Sequence, residues 1–150
     1  MSDYTGKTRT NYFSVTDVEK FKHVISSCRA SDEIIIFDEK QEDGSLKYGF
    51  YCFGEIHGLP DKSCADAEDE DDDVDYDYDY DAFCQALQGV LPNDEAIFIT
   101  EAGFNNIRYL IGNCTIITKN GFECISIKRE ALKIARAMMS NPEFDTKMDY

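Results

Sequence analysis

The chain has 150 residues, 43% of them apolar and nineteen aromatic, which is enough for one domain with a real core and excludes wholesale disorder. Its net charge is −15, from 30 acids against 15 bases, so as a whole it should repel nucleic acid and anionic lipid. No stretch of eighteen apolar residues occurs, and no apolar segment follows a basic N-terminal region, so neither a membrane span nor a secretory signal is expected.

In chain order, Arg9 to Val15 reads as a strand, with Phe13 and Val15 on one face and Tyr12 and Ser14 on the other. Thr16-Asp17-Val18-Glu19 matches a capping box. Val18, Phe21, Val24, Ile25 and Cys28 then recur at helical spacing, so a helix should run to about Cys28. Glu33 to Asp38 reads as a buried strand, Glu42 to Ser45 as a turn, and Leu46 to Phe53 as the partner strand of a hairpin. Gly54 to Pro60 reads as loop. Residues 61–77 are expected to form an exposed acidic loop or insertion, and 78 to about 91 a helix carrying Asp77 and Asp79 at its positive end. Glu95 to Glu101 reads as a strand broken by Ala102-Gly103, and Ile107 to Ile111 and Cys114 to Lys119 as two short strands. Asn120-Gly121 is a strong hairpin signal leading into Phe122 to Ile127. Lys128 to Ser140 should be a last helix burying Ala131, Ile134, Ala135 and Met138, with 143–150 as a tail. The expected fold class is α+β: a mainly antiparallel sheet with three helices, in a split βαβ (ferredoxin-like) arrangement, plus a C-terminal hairpin and helix. That fold implies no function.

The charge is concentrated in one place. Residues 61–81, DKSCADAEDEDDDVDYDYDYD, hold twelve acids and one lysine, which is −11 of the −15. Glu68, Asp69, Glu70, Asp71, Asp72 and Asp73 are consecutive. Extended, they would rise about 3.3 Å per residue along the chain, close to the roughly 3.4 Å axial spacing of charge on one DNA strand. Asp75, Asp77, Asp79 and Asp81 alternate with Tyr76, Tyr78 and Tyr80. A tract that only solvates has few aromatics, whereas tyrosine beside charge is typical of recognition surfaces. These thirteen residues are the candidate partner-binding site, and the expected partner is a basic, nucleic-acid-binding protein. The blander alternative is a solubilising loop on an accessory or structural domain. Lys128, Arg129, Lys133 and Arg136 form the densest basic group and could receive the run internally.

Catalytic and metal signatures are scarce. Gly6-Lys7-Thr8 ends like a phosphate-binding loop, but the glycine required five residues earlier is Met1. Read as calcium loops from Asp73, Asp75 or Asp77, position 6 is Tyr78, Tyr80 or Ala82 and position 12 is Cys84, Ala86 or Gln88, so each register fails twice. The six cysteines lack any C-x-x-C pair and read as small buried hydrophobes, with Cys64 blunted by neighbouring acids. Cys52 with His57 is the one conceivable nucleophile–base pair, and it defines a distant enzymatic alternative. The expectation is a non-enzymatic cytoplasmic protein without cofactor or metal.

Two segments, LPNDEAIFITEAGFNNIRYLIGNCTIIT (Leu91 to Thr118) and TRTNYFSVTD (Thr8 to Asp17), resemble uncharacterised small acidic proteins carried on bacterial conjugative elements and phages. The resemblance brings no catalytic residues. It implies a cytoplasmic bacterial protein, and beyond composition alone it favours an inhibitor of host defence of the anti-restriction or anti-CRISPR type; such proteins are often acidic DNA mimics.

Overall fold

A computed structural model describes residues 4–60, 78–105 and 109–146. Six strands form the main sheet: β1 (Tyr4–Thr10), β3 (Ile35–Lys40), β4 (Leu46–Phe53), β7 (Ala96–Asn105), β8 (Tyr109–Thr118) and β9 (Gly121–Ser126), in the order β3-β4-β1-β7-β8-β9. Among the described residues every strand pairing is antiparallel. A smaller sheet has the order β2-β5-β6, from β2 (Arg29–Ala30), β5 (Ile56–Pro60) and β6 (Tyr78–Asp79). The helices are α1 (Val18–Ser27), α2 (Tyr80–Gln88) and α3 (Ile127–Met139). The class is therefore α+β with a mainly antiparallel sheet and three helices. Among the described residues no helix is long and apolar enough to cross a membrane.

The core lies between one sheet face and the pair α1 and α2. Phe13, Phe21, Phe50 and Phe83 are fully buried there, together with Leu87, Val90, Leu91, Ile97 and Ile117. Burying a phenylalanine contributes about 1.5–3 kcal/mol relative to leaving it exposed. The rings meet mostly edge to face: Phe13 and Phe21 centroids are 5.5 Å apart at 89°, and Phe50 and Phe83 are 6.2 Å apart at 69°. That geometry sets positive ring edges against negative faces and adds to the area term. Ile56 and Leu59 of the small sheet pack on the same core, so this sheet belongs to the helical layer.

Several local expectations shift. The first strand is Tyr4–Thr10, not Arg9 to Val15; Phe13 makes only an isolated bridge to Tyr48. Asn11 ends the strand because its side chain replaces backbone pairing, donating to Ala96 O at 3.0 Å and accepting from Phe98 N at 2.8 Å. The inward residues of β1 are Thr8 and Thr10, buried with their hydroxyls donating to Gly54 O and Asn11 O. The cap of α1 is Asp17, which accepts from Lys20 N at 3.1 Å, while Thr16 donates to Val90 O instead. The strand expected to be buried at 33–38 is the sheet's outer edge, and Ile35 is 39% exposed. Gly54 to Pro60 is not all loop, since Ile56–Pro60 pairs with both β2 and β6. Ala102-Gly103 does not break β7, because Gly103 sits in register between Gly6 and Ile111. The two short strands expected after it are one, Tyr109–Thr118.

The last helix forms, but it buries none of its residues. Ile134 is 59% exposed and Met138 82%. It lies against β8 and β9 on the sheet face away from the core, where Ile127 sits over Gly112. Ile127, Ala131 and Ile134 line a cleft of about 350 Å³ with Thr100, Cys114 and Ile125. The residues opposite are too small to fill the space beneath the helix. In the expected tail, Phe144 O accepts from Arg136 Nε at 2.7 Å, which ties residues 141–146 back to α3.

Candidate functional site

Of the thirteen expected partner-binding residues, Glu68, Asp69, Glu70, Asp71, Asp72, Asp73, Asp75, Tyr76 and Asp77 lie outside the described residues. Tyr78, Asp79, Tyr80 and Asp81 lie within them and show how the segment joins the fold. Its two ends are neighbours: Pro60, the last residue of β5, pairs with Tyr78, the first of β6, and Leu59 pairs with Asp79. Residues 61–77 thus connect two adjacent antiparallel strand ends, which form a two-strand stem. Gly58 makes the stem feasible. Its φ is +121°, and a Cβ there would collide with the backbone of Asp79 and Tyr80.

The four described residues do different things. Tyr78 is 42% exposed, and its ring stacks on His57 with centroids 5.6 Å apart. Asp79 caps α2, accepting from Ala82 N at 2.9 Å. Asp81 is exposed in the first helical turn, so both carboxylates sit at the positive helix end. Tyr80 turns inward. Its ring packs beside Phe83, and its hydroxyl shares a 2.9 Å hydrogen bond with Thr115 Oγ1. Burial pushes the Tyr80 phenol well above its ordinary value. The surface available to a partner at this end is therefore Tyr78, Asp81 and the outer side of Asp79, while Tyr80 anchors the segment to the core.

Cys52 and His57 are not brought together. Cys52 is fully buried on the core face, and burial raises its thiol above the ordinary value despite the Thr8 hydroxyl beside it. His57 lies in the small sheet against Tyr78, 3.9 Å from Glu55 Oε1. Burial likewise raises the Cys28 and Cys84 thiols to about 12. Among the described residues no group of three or more metal-ligating side chains occurs. Glu101 is a half-buried carboxylate on the core face, across from Thr8; burial, and then Glu55, push its pKa up.

The opposite face of the main sheet carries a constellation the sequence reading missed. Lys7 and Arg9 project from β1, both exposed. Lys7 Nζ lies 5.3 Å from the centroid of Phe53, and the Arg9 guanidinium carbon 5.1 Å from that of Phe37. Phe37 stacks on Tyr51 at 6.0 Å, and Tyr51 meets Phe53 edge to face at 6.4 Å. Gly49 allows this cluster, because any Cβ there would collide with the Phe37 ring. The cations belong to a strand that starts five residues before the expected one. The alternation Gly6, Lys7, Thr8, Arg9, Thr10 was the available signal.

Compared with known proteins by family model, by sequence and by solved structure, the chain has no match.

Proposed function

We propose that the chain is a non-enzymatic acidic interaction protein that occupies a basic, nucleic-acid-binding surface of another protein, as a mimic of the nucleic-acid backbone. The observation that carries this reading is the placement of charge. Residues 61–81 hold −11 of the −15, and the segment is inserted through the Pro60–Tyr78 stem with Asp79 and Asp81 fixed at the start of α2. Holding part of the array on rigid elements reduces the ordering cost of binding. The alternating tyrosines supply contact area beside charge. The resemblance to acidic proteins of mobile elements favours a cytoplasmic inhibitor of host defence. All five described cysteines are free thiols, in keeping with a reducing compartment. A passive solubilising loop is the second reading, favoured by the structural employment of Asp79 and Tyr80.

We also read β1, α1, β3, β4, α2 and β7 as a split βαβ (ferredoxin-like) unit extended by β8, β9 and α3. The support is the order β3-β4-β1-β7 with antiparallel pairing throughout, and α1 and α2 sharing one core.

The test is capture from host lysate by the wild type and by a variant in which Glu68 to Asp73, Asp75, Asp77, Asp79 and Asp81 become their amides. The wild type should retain nucleic-acid-binding proteins at low salt and release them as salt rises, because the contacts are screened over about 8–10 Å. The folded variant should retain none of them. Equal capture by both proteins reduces the segment to a solubilising loop.

A further inference from the structure

We propose that the face of the main sheet away from the core binds single-stranded nucleic acid, with Lys7 and Arg9 meeting phosphates and Phe53 and Tyr51 offering rings to unpaired bases. This goes beyond the reading of the acidic segment and does not depend on it. The chain has twice as many acids as bases, yet among the described residues neither Lys7 nor Arg9 is ion-paired. Each instead lies over an aromatic ring. Two unneutralised cations held in an aromatic surface call for an anionic occupant.

The register makes the surface continuous. Phe53, Lys7 and Ala102 stand side by side across three strands, and Tyr51, Arg9 and Thr100 form the next row. Successive same-face residues on a strand are about 6.6 Å apart. A ring, a cation and a small residue therefore repeat in two parallel rows. Phe53 is 53% exposed, and Phe104, beyond Ala102 on β7, is 46% exposed, so ring surface is open for stacking at one end of the face. Rings on an open sheet face with adjacent cations suit unpaired bases, whose faces are free, and not a duplex, whose bases are stacked on one another. A second copy of the chain is the poorer occupant. A two-fold contact through this face would bring the Lys7 and Arg9 pairs of both copies together.

Net charge does not forbid this. Pro60 and Tyr78, which flank the acidic segment, belong to the small sheet, whose Ile56 and Leu59 pack on the core side. Exposed charges are in any case screened over about 8 Å at physiological salt.

The experiment is fluorescence anisotropy of short labelled oligo(dT) and oligo(U) single strands titrated with the full chain, with inorganic polyphosphate and duplex DNA as competitors. The wild type should bind single strands, and both competitors should displace them poorly. Phe53→Ala should weaken binding about fivefold or more, the usual loss of one stacked base. Lys7→Gln and Arg9→Gln should each weaken it and flatten its salt dependence. Phe53→Leu, which keeps apolar bulk without the ring, should bind as poorly as Phe53→Ala and guards against a folding artefact. The amide variant of the acidic segment should still bind, so a failure of that segment's role leaves this result intact. Absence of binding at low salt, equal affinity of wild type and variants, or equal displacement by polyphosphate overturns the proposal. So does a wild-type dimer in sedimentation that Phe53→Ala dissolves, since the face would then belong to a second copy.

Discussion

Asp79 stands where the acidic segment becomes part of the fold, and its structural and electrostatic roles can be separated by two substitutions. Its carboxylate accepts from Ala82 N at 2.9 Å, and its backbone is extended at φ −110°, ψ 101°, which is the geometry of an N-cap. Replacing a capping Asp by Ala costs about 1 kcal/mol, within a range of roughly 0.5–2. Asn caps about as well as Asp, so Asp79→Asn loses only the charge–dipole part, about 0.3–1 kcal/mol at low ionic strength and less in salt. For a chain of this size, 1 kcal/mol moves the melting temperature by roughly 2–4 °C. Urea unfolding of the three proteins in moderate salt should therefore rank wild type and Asp79→Asn together, with Asp79→Ala lower by about 1 kcal/mol at unchanged m-value. The same two variants in partner capture should be impaired alike, because both lack the charge. An Asp79→Ala protein as stable as wild type would show that the cap does not hold α2 and would remove the rigid end of the array.

Phe83 is fully buried against Phe50 and Tyr80, so Phe83→Ala should cost about 3–5 kcal/mol in chemical unfolding, whereas an exposed Phe98→Ala should cost far less. Glu101 has its folded pKa raised above the ordinary 4.5, mainly by burial. Its ionisation therefore opposes folding, and stability falls as pH rises from 4.5 through the folded value; Glu101→Gln should be more stable than wild type at pH 7 and should lose that part of the pH slope in melts from pH 4 to 7. The Cys28 and Cys84 thiols, raised to about 12, should resist a thiol reagent at pH 8 in the native protein and react on unfolding, while exposed Cys124 reacts at once. Those two thiols also make the fold less stable as pH rises from their ordinary 9.0 toward 12, since the unfolded chain ionises first.

Parts of this architecture were legible because local and tertiary preferences agree. The apolar stripe of α1 and the Leu46–Phe53 strand lie where periodicity places them, and the hairpin signalled by Asn120-Gly121 forms one residue early, with Lys119 and Asn120 at its tip and Gly121 already in β9. The first strand was not, because its buried positions are Thr8 and Thr10, polar residues that do not mark a core face; Thr8 is satisfied by distant Gly54 O and Thr10 accepts from Phe50 N. The apolar Phe13 and Val15 drew the reading downstream. Gly103 looked like a breaker, yet in an antiparallel sheet it faces Gly6 across a ladder that no local pattern announces. The stripe of α3 was legible as a period, but its burial depends on what lies opposite, and Gly112, Thr100 and Cys114 leave it largely uncovered. For the candidate site, the acidic run was visible as composition. That its ends meet at Pro60 and Tyr78, that Tyr80 turns inward, and that Lys7 and Arg9 share a face with Phe37, Tyr51 and Phe53 depend on register between distant strands.

The central claim is that the acidic segment occupies a nucleic-acid-binding surface, and competition at fixed ionic strength tests it most directly. Proteins captured by the immobilised chain are challenged with duplex DNA while salt is held constant. DNA should release them and leave with them bound, because both ligands need the same surface. Captured proteins that take up DNA and stay on the chain would contradict it.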